Sequence, residues 1–237
     1  VCDARCARDL VSGADAVFHL AALIGIPYSY AAPESYVATN VRGTLNVLEG
    51  CLTERVGRIL HTSSSEVYGT ARQPAMNEQH PLQAQSPYSA TKIAADKLAE
   101  AYFLSYGLPV TTVRPFNTYG PRQSLRAVIP TILAQALSDE CEEIRIGSPD
   151  PVRDFTFVED VARAFCEIAL AQREIVAGRL YNLGCGKGIS VGDLARKAQG
   201  VVGAKKPIVE TRARQRPNAS EVRALVSDPS RVAKEVG

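Results

Sequence analysis

Residues 56–66 read VGRILHTSSSE, a short apolar run that ends in three serines and a glutamate. The run at 56–62 has the length and composition of a buried β-strand. Residues 87–106, which begin PYSATK, carry a helical pattern, and the preceding Ser86 supplies a helix N-cap. Because ligands of α/β proteins usually bind at the carboxyl edge of the sheet, where strands end, the serines are predicted to lie at a functional site.

Tyr88 and Lys92 stand four residues apart in the predicted helix, so their side chains share one face. A free tyrosine ionises near pH ~10, and a close ammonium and a donating serine hydroxyl both favour the phenolate. We therefore predict that Ser64, Tyr88 and Lys92 act together, with Tyr88 removing a proton from a substrate hydroxyl near neutral pH. The residues alone leave three roles open for Glu66: a solvated charge, an acid at a helix terminus, or a base for a carbon-bound proton.

Strand and helix patterns alternate along the chain, which is typical of a parallel sheet covered by helices on both faces. The segment 69–87, rich in glutamine and proline, is predicted to be a loop. After Gln123 a helix, a short strand and a Gly-Ser-Pro-Asp-Pro turn indicate a smaller lobe. The predicted strands lie at 14–20, 56–62, 110–114, 143–146 and 180–183, and the predicted helices at 33–53, 87–106, 127–138, 158–171 and 190–202.

The composition is that of an ordinary globular protein: 46% of the 237 residues are hydrophobic, and the net charge is +2. This charge gives no strong attraction to nucleic acid, and no apolar run is long enough to span a membrane. The six cysteines contain no Cys-x-x-Cys pair and the three histidines are scattered, so buried free thiols and no zinc site are predicted. On these grounds the cytoplasm is the default location.

Together with the Ser-Ser-Glu and Tyr-x-x-x-Lys residues, four further segments resemble the extended short-chain dehydrogenase/reductases, in the nucleotide-sugar epimerase/dehydratase branch. These segments are FHLAA at 18–22, TNVRGT at 39–44, RPFNTYGPRQ at 114–123 and RDFTFVED at 153–160. The resemblance implies an α/β fold: a Rossmann-like doubly wound parallel sheet with a smaller α+β lobe for substrate. It also implies an NAD cofactor, a nucleotide-diphosphate sugar as substrate, and a homodimer in which the helices at 33–53 and 87–106 pair with a second copy.

The resemblance assigns roles to individual positions of this chain. Its implied catalytic residues are Ser64, Ser65, Glu66, Tyr88 and Lys92. Its implied cofactor-binding residues are Ala21, Ala22, Leu23, Asn40, Ser63, Tyr88, Lys92 and Pro115. Its implied substrate-binding residues are Ser29, Glu66, Asn117, Arg122, Val128, Arg153 and Arg216. Arginine suits this task because its guanidinium pairs with phosphate oxygens.

Within this family, epimerases acting at C4 usually carry a small or neutral residue where Glu66 stands, whereas sugar 4,6-dehydratases and glucuronate decarboxylases carry glutamate. The longer segments AALIGIPYSY at 21–30, HPLQAQSPYSA at 80–90 and RPFNTYGPRQSLRAVIPTI at 114–132 most resemble bacterial 4,6-dehydratases for N-acetylhexosamine nucleotides of the legionaminic-pathway type. Dehydratases for deoxythymidine-linked glucose usually place aspartate where Ser65 stands, which disfavours that subclass. The alternatives are a nucleotide-sugar 4-epimerase, a UDP-glucuronate decarboxylase, and a truncated, non-catalytic module that binds nucleotide sugars.

The implied dehydration removes water across C5 and C6 of the sugar, with NAD as a recycled hydride store. Tyr88 takes the C4 hydroxyl proton, and Glu66 removes the C5 proton. Glu66, or Ser65 through water, then protonates the leaving C6 hydroxyl.

The expected domains are an NAD-binding domain at 1–122 and 152–184 and a nucleotide-sugar-binding lobe at 123–151 and 185–237. The family's first β-α-β unit, with its glycine-rich loop, is expected before position 1, since no such loop occurs in residues 1–237. Two explanations are open: the numbering omits the ends of the protein, or the protein is truncated and binds NAD poorly. Residues 1–3 are interpreted as the remaining end of the family's second strand.

Overall fold

The computed structural model describes residues 1–211 and 220–237. Its strands are β1 (Ala16–His19), β2 (Arg58–Thr62), β3 (Val110–Pro115), β4 (Asn117–Tyr119), β5 (Ile144–Ile146), β6 (Val152–Phe157), β7 (Leu180–Leu183), β8 (Gly188–Ser190), β9 (Ile208–Glu210) and β10 (Ala224–Leu225). Its α-helices are α1 (Ala4–Val11), α2 (Ile26–Ala31), α3 (Pro33–Tyr36), α4 (Gly43–Thr53), α5 (Pro87–Tyr106), α6 (Val128–Leu137), α7 (Val158–Leu170), α8 (Arg173–Val176), α9 (Val191–Val201) and α10 (Ser230–Glu235). A π-helical turn, Val37–Arg42, joins α3 to α4, and a 3₁₀ turn, Ser65–Tyr68, follows β2.

The main sheet is parallel, with the strand order β1-β2-β3-β7. Ile59 and Leu60 are consecutive in β2 and therefore point to opposite faces. Ile59 packs in one hydrophobic cluster with residues of α1, α4 and α5, whereas Leu60 packs in a second cluster with residues of α7. Helices thus cover both faces of the sheet, which confirms the predicted fold class.

Helix α1 is absent from the predicted elements. The side chain of Asp3 caps it by accepting a hydrogen bond from the backbone nitrogen of Cys6 at 2.7 Å. Asp3 itself has extended backbone, with φ −95° and ψ 120°, and leads into the helix, so the interpretation of residues 1–3 as the end of a strand stays a prediction. Ala7 and Val11, one turn apart, pack in the cluster that contains residues of α4, while the rest of this polar helix is mostly exposed. Its apolar residues are few and form a single stripe on an otherwise polar helix, which is why it does not stand out as a core helix in the sequence.

The second half of the chain forms two smaller sheets. In one of them β6 pairs with β10, β4 and β8; in the other β5 pairs with β9. Residues of α6, α9, β5 and β9 share a separate hydrophobic cluster, as expected of a smaller lobe. The predicted domain boundaries stay a prediction. They place β6 in the NAD-binding domain, although β6 is hydrogen-bonded to β8 and β10 of the predicted lobe.

Within the part of the chain that the structure describes, no helix combines the length and the apolar character needed to cross a membrane.

Candidate functional site

The serine run lies at the carboxyl end of β2. The backbone nitrogen of Ser63 donates to the carbonyl of Val113 at 2.7 Å, which continues the pairing of β2 with β3. Ser64 then caps the 3₁₀ turn, its hydroxyl oxygen accepting from the backbone nitrogen of Glu66 at 3.2 Å. Ser64 and Glu66 are half-buried and Ser65 is buried. The end of the strand and the cap of the turn together determine where this cluster of hydroxyl and carboxylate groups lies.

Helix α5 begins at a capping box in which Ser86 and Ser89 exchange side-chain-to-backbone hydrogen bonds, and the helix starts with Pro87. This start orients the first turn, where Tyr88 is 6% exposed, and the second turn, where Lys92 is 4% exposed. Both side chains lie on the buried face, as the spacing of four residues predicts. The Tyr88 hydroxyl is hydrogen-bonded to the Ser64 side chain, so the structure brings the predicted serine and tyrosine together.

The pKa of Tyr88 departs from the expected direction. Burial raises it above its ordinary value, and the charge of Glu66 raises it further, whereas the hydrogen bond with Ser64 lowers it. The pKa of Tyr88 is therefore raised overall, and the expectation that Tyr88 forms a phenolate near neutral pH is wrong for the protein itself. The physical reason is that burial disfavours the charged phenolate more than the serine stabilises it.

Lys92 is the buried cation of this site. Its Nζ donates to the carbonyl oxygen of Thr62 at 2.6 Å. Burial lowers the pKa of Lys92 to about 8, and the charge of Asp96 opposes that change. An ammonium has three donors, and in the described residues only Thr62 accepts from it, so two donors are available to ribose hydroxyls. This donor set fits the implied role of holding the nicotinamide ribose.

A buried polar network behind Lys92 was missed by the sequence analysis. The Asp96 carboxylate accepts from Ser63 Oγ at 2.8 Å and from Arg114 Nη2 at 2.8 Å, and His61 Nε2 lies 3.0 Å from its second oxygen. Because the ionised carboxylate only accepts, His61 is the donor in this pair. The sequence carries only part of the signal: Asp96 follows Lys92 by four residues and shares its helix face, whereas its partners come from other segments.

Asn40, a predicted cofactor residue, lies in the π-helical turn and is buried. Its amide oxygen accepts from the backbone nitrogen of Leu23 at 2.8 Å, and its amide nitrogen donates to the Leu23 carbonyl at 3.0 Å and to Thr91 Oγ1 at 3.1 Å. Asn40 therefore ties the loop after β1, which contains Ala21 and Ala22, to helix α5. π-helical turns are frequent at functional sites.

Pro115 ends β3, the strand between β2 and β7 in the main sheet. It therefore lies at the same carboxyl edge of the sheet as Ser63, which directly follows β2. Ala21 is exposed, and Ala22, Leu23 and Pro115 are half-buried. The roles of these residues toward a cofactor stay predictions.

Two of the predicted substrate residues offer polar groups. Asn117, the first residue of β4, has a buried side-chain oxygen with no hydrogen-bond partner in the described residues. Arg153 is 5% exposed, and its Nη2 lies 3.4 Å from a carboxylate oxygen of Glu221. A buried guanidinium and an unpartnered amide oxygen suit a polar ligand.

The remaining substrate predictions fare differently. Ser29 is fully buried in α2, and its hydroxyl donates to the Ile26 carbonyl at 2.7 Å, so its own helix already uses that donor. Val128 begins α6 and is half-buried. Arg216 lies outside the described residues. Substrate contact by these residues stays a prediction.

Arg122 has a φ of 65° and Arg55 a φ of 55°, which places both in the left-handed region that costs a non-glycine residue about 1 kcal/mol. We expect Arg122→Gly and Arg55→Gly each to raise the free energy of unfolding by up to about 1 kcal/mol in urea denaturation. If Arg122 contacts substrate, only Arg122→Gly raises KM. Equal KM values in the two variants would contradict that contact.

A cavity of about 270 Å³ lies elsewhere, between α5, β3 and the start of β7. Phe103, Arg179 and Arg231 line it, together with Asp96 and Arg114 from the buried network. None of the predicted catalytic residues lines this cavity, so it is distinct from the site at the carboxyl edge.

A parallel sheet whose carboxyl edge presents a hydrogen-bonded serine and tyrosine beside a buried lysine defines the class of the extended short-chain dehydrogenase/reductases. Residues 1–237 match the family described as GDP-mannose 4,6 dehydratase, and the chain belongs to that family.

Three known proteins illustrate the similarity. The chain is 37% identical over 191 residues to a trifunctional UDP-glucose 4,6-dehydratase, 3,5-epimerase and reductase of Arabidopsis thaliana, covering 79% of this chain and 28% of the relative. The dTDP-glucose 4,6-dehydratase DesIV of Streptomyces venezuelae, solved with NAD bound, superposes with a TM-score of 0.88 at 29% identity, covering 100% of this chain and 71% of that one. TunA, an NAD-dependent NDP-hexosamine 5,6-dehydratase of tunicamycin biosynthesis, gives a TM-score of 0.86 at 27% identity, covering 97% and 73%. The chain spans between 28% and 66% of the length of the first curated relatives it matches.

Proposed function

We propose that the protein containing this chain is an NAD-dependent nucleotide-sugar 4,6-dehydratase that converts a nucleotide-diphosphate hexose to its 4-keto-6-deoxy form. The observation that carries the proposal is the Ser64 and Tyr88 hydrogen bond, with the charge of Glu66 acting on the same phenol. One basic group for a hydroxyl proton and a second for a carbon-bound proton are what dehydration next to a ketone requires. The family membership supports the same reaction class.

NAD is the proposed cofactor, in keeping with the NAD bound to the Streptomyces venezuelae enzyme. Lys92 would hold the nicotinamide ribose with its two available donors, next to the loop that Asn40 fixes. When bound, NAD supplies the acceptor for the C4 hydride and later the donor for C6, and its positive nicotinamide favours the phenolate of Tyr88.

The proton transfers belong to the chain's own residues. Tyr88 accepts the proton of the C4 hydroxyl, with Ser64 donating to the phenolic oxygen as negative charge develops. The ketone then makes the C5 proton acidic, and Glu66 removes it. Glu66, or Ser65 through water, protonates the C6 hydroxyl as it leaves.

For the substrate, we propose an N-acetylhexosamine carried on a nucleoside diphosphate. Arg153 and Arg122 supply guanidinium groups for the diphosphate, and the unpartnered oxygen of Asn117 is an acceptor for a sugar hydroxyl or amide N–H. The relatives differ in their substrates, which are UDP-glucose, dTDP-glucose and an NDP-hexosamine by name. The experiment therefore has to identify which nucleotide and which sugar the substrate of this protein contains.

Two alternatives use the same scaffold, a 4-epimerase and a UDP-glucuronate decarboxylase. Glu66 disfavours the epimerase, because hydride transfer at C4 needs only the serine and tyrosine. A non-catalytic module is disfavoured by the intact arrangement of Ser64, Tyr88 and Lys92. A homodimer through the helical stretch 33–53 and α5, and residence in the cytoplasm, also stay predictions.

The test is incubation of the protein with NAD and a panel of nucleotide sugars in heavy water, followed by mass spectrometry. We expect one sugar, with N-acetylglucosamine donors foremost, to lose one water and to gain deuterium at C5. An unchanged formula with a shifted retention time would indicate epimerisation, and loss of carbon dioxide from a glucuronate donor would indicate decarboxylation. Either result overturns the proposed dehydration.

A further inference from the structure

One buried carboxylate on α5 has no role in the proposed proton transfers. Asp96 is 4% exposed and follows Tyr88 and Lys92 at successive intervals of four residues, so the three side chains lie along one helix face. Burial alone raises the pKa of Asp96, but its hydrogen bonds and the nearby guanidinium outweigh burial and lower it. Asp96 is therefore a fixed negative charge behind the candidate site.

Histidines and an arginine from three strands surround the same buried network. Burial lowers the pKa of His19 on β1, to about 3, and of His61 on β2, and the charge of Lys92 lowers both further, so both rings are neutral at pH 7. Arg114 on β3 is cationic and bonded to Asp96. Across the residues that the structure describes, Asp96 is the carboxylate whose charge raises the pKa of Lys92.

The groups around Tyr88 respond to the same carboxylate. Glu66 on the 3₁₀ turn and Asp96 both raise the pKa of Tyr88, and Tyr36 on α3, whose ring packs edge-on against Tyr88 at 6.3 Å, adds to the rise. Ser64 acts in the opposite direction through its hydrogen bond. Removal of the Asp96 charge therefore changes the titration of both the base and the cation of the site.

We propose that Asp96 is a positioning residue of this enzyme: its fixed charge keeps Lys92 protonated, and its hydrogen bond from Ser63 anchors the turn that presents Ser64 to Tyr88. The part that concerns turnover rests on the proposed function. The part that concerns the charge of Lys92 stands on the shared buried face of α5, where Lys92 and Asp96 lie one turn apart, both about 4% exposed.

The effect of Asp96→Asn on pH dependence has a definite sign. Lys92 acts as a cation. A lower pKa of Lys92 therefore shifts the loss of activity on the basic side of the kcat/KM profile to lower pH. Tyr88 acts as a base. A lower pKa of Tyr88 therefore extends activity to lower pH on the acidic side of the same profile. Both limbs of the kcat/KM profile therefore move to lower pH by roughly one unit. A merely structural residue would reduce the height of the profile without moving it.

The experiment combines that profile with a titration of the Lys92 side chain by NMR in protein labelled with ¹⁵N-lysine. The chain has seven lysines, and Lys92→Arg assigns the signal. We expect Asp96→Asn to lower the titration midpoint of Lys92 by roughly one pH unit. Asp96→Glu, which keeps the charge, is expected to retain a midpoint close to the wild-type value. The surface substitution Asp160→Asn serves as the control and is expected to leave it unchanged.

An unchanged Lys92 midpoint in Asp96→Asn, with a profile reduced only in height, overturns the proposal. The single variant leaves Arg114 unpaired and could fail to fold for that reason. In that case Asp96→Asn is combined with Arg114→Gln, which removes both charges, and the titration midpoint of Lys92 is measured in the double variant. A protein inert toward every nucleotide sugar would refute the proposed function, while the NMR midpoint still decides whether Asp96 holds the charge of Lys92.

Discussion

Tyr88→Phe is expected to lower kcat by about 10³-fold, within the range that a positioned acid or base contributes. The substitution removes only the phenolic oxygen that is hydrogen-bonded to Ser64, and it keeps the ring that packs edge-on against Tyr36. The fold should therefore remain intact while proton transfer from the C4 hydroxyl is lost. Steady-state kinetics and a thermal unfolding curve measure the two effects separately.

Tyr102→Phe is the matched control for this prediction. Tyr102 lies on the same helix, is also buried, and donates its hydroxyl proton to Glu49, away from the serine turn. We expect this variant to keep its kcat within a few-fold of wild type. Full activity of Tyr88→Phe would remove Tyr88 from the mechanism.

Glu66→Gln is expected to reduce 4-keto-6-deoxy product formation by about 10²- to 10⁴-fold while oxidation at C4 continues. The amide keeps the shape of the side chain but cannot accept the C5 proton. Since the negative charge of Glu66 raises the pKa of Tyr88, its removal makes the phenolate easier to form. Oxidation is followed by the absorbance of the nicotinamide, and loss of the C5 proton by deuterium uptake from heavy water.

Glu100→Gln, an exposed change on α5, controls for the loss of one carboxylate and should keep wild-type turnover. If Glu66→Gln still exchanged the C5 proton at the wild-type rate, Glu66 would not be the base. Loss of C4 oxidation in the same variant would instead point to disruption of the Ser64 turn, which the backbone of Glu66 helps to form.

Local patterns were sufficient for most of the architecture. The strand at 56–62 is found as β2, Arg58–Thr62, and the helix at 87–106 is found as α5 with the same bounds. The strand is an apolar run that ends at the serines, and the helix is bounded by the Ser86 cap and Gly107. The π-helical turn within the predicted helix 33–53 was not foreseen, because it changes the hydrogen-bond register of the backbone without interrupting the apolar pattern.

The candidate site was predictable only in part. Helical spacing places Tyr88 and Lys92 on one face, and the end of β2 delivers Ser64 to them; both follow from the order of residues along the chain. The Asp96 network was not predicted, because it joins His61 and Ser63 near the end of β2 to Arg114 on β3 and exists only when the sheet and α5 have packed.

The sequence by itself thus determined the fold class, the helix face that carries Tyr88 and Lys92, and the strand end that carries the serines. The tertiary structure alone decided the charge states. Burial raises the pKa of Tyr88 and lowers that of Lys92, opposite to the expectation for the tyrosine. The reason is physical: helical and strand periodicity depend on neighbours a few residues away, whereas the free energy of a charge depends on how completely distant segments exclude water from it.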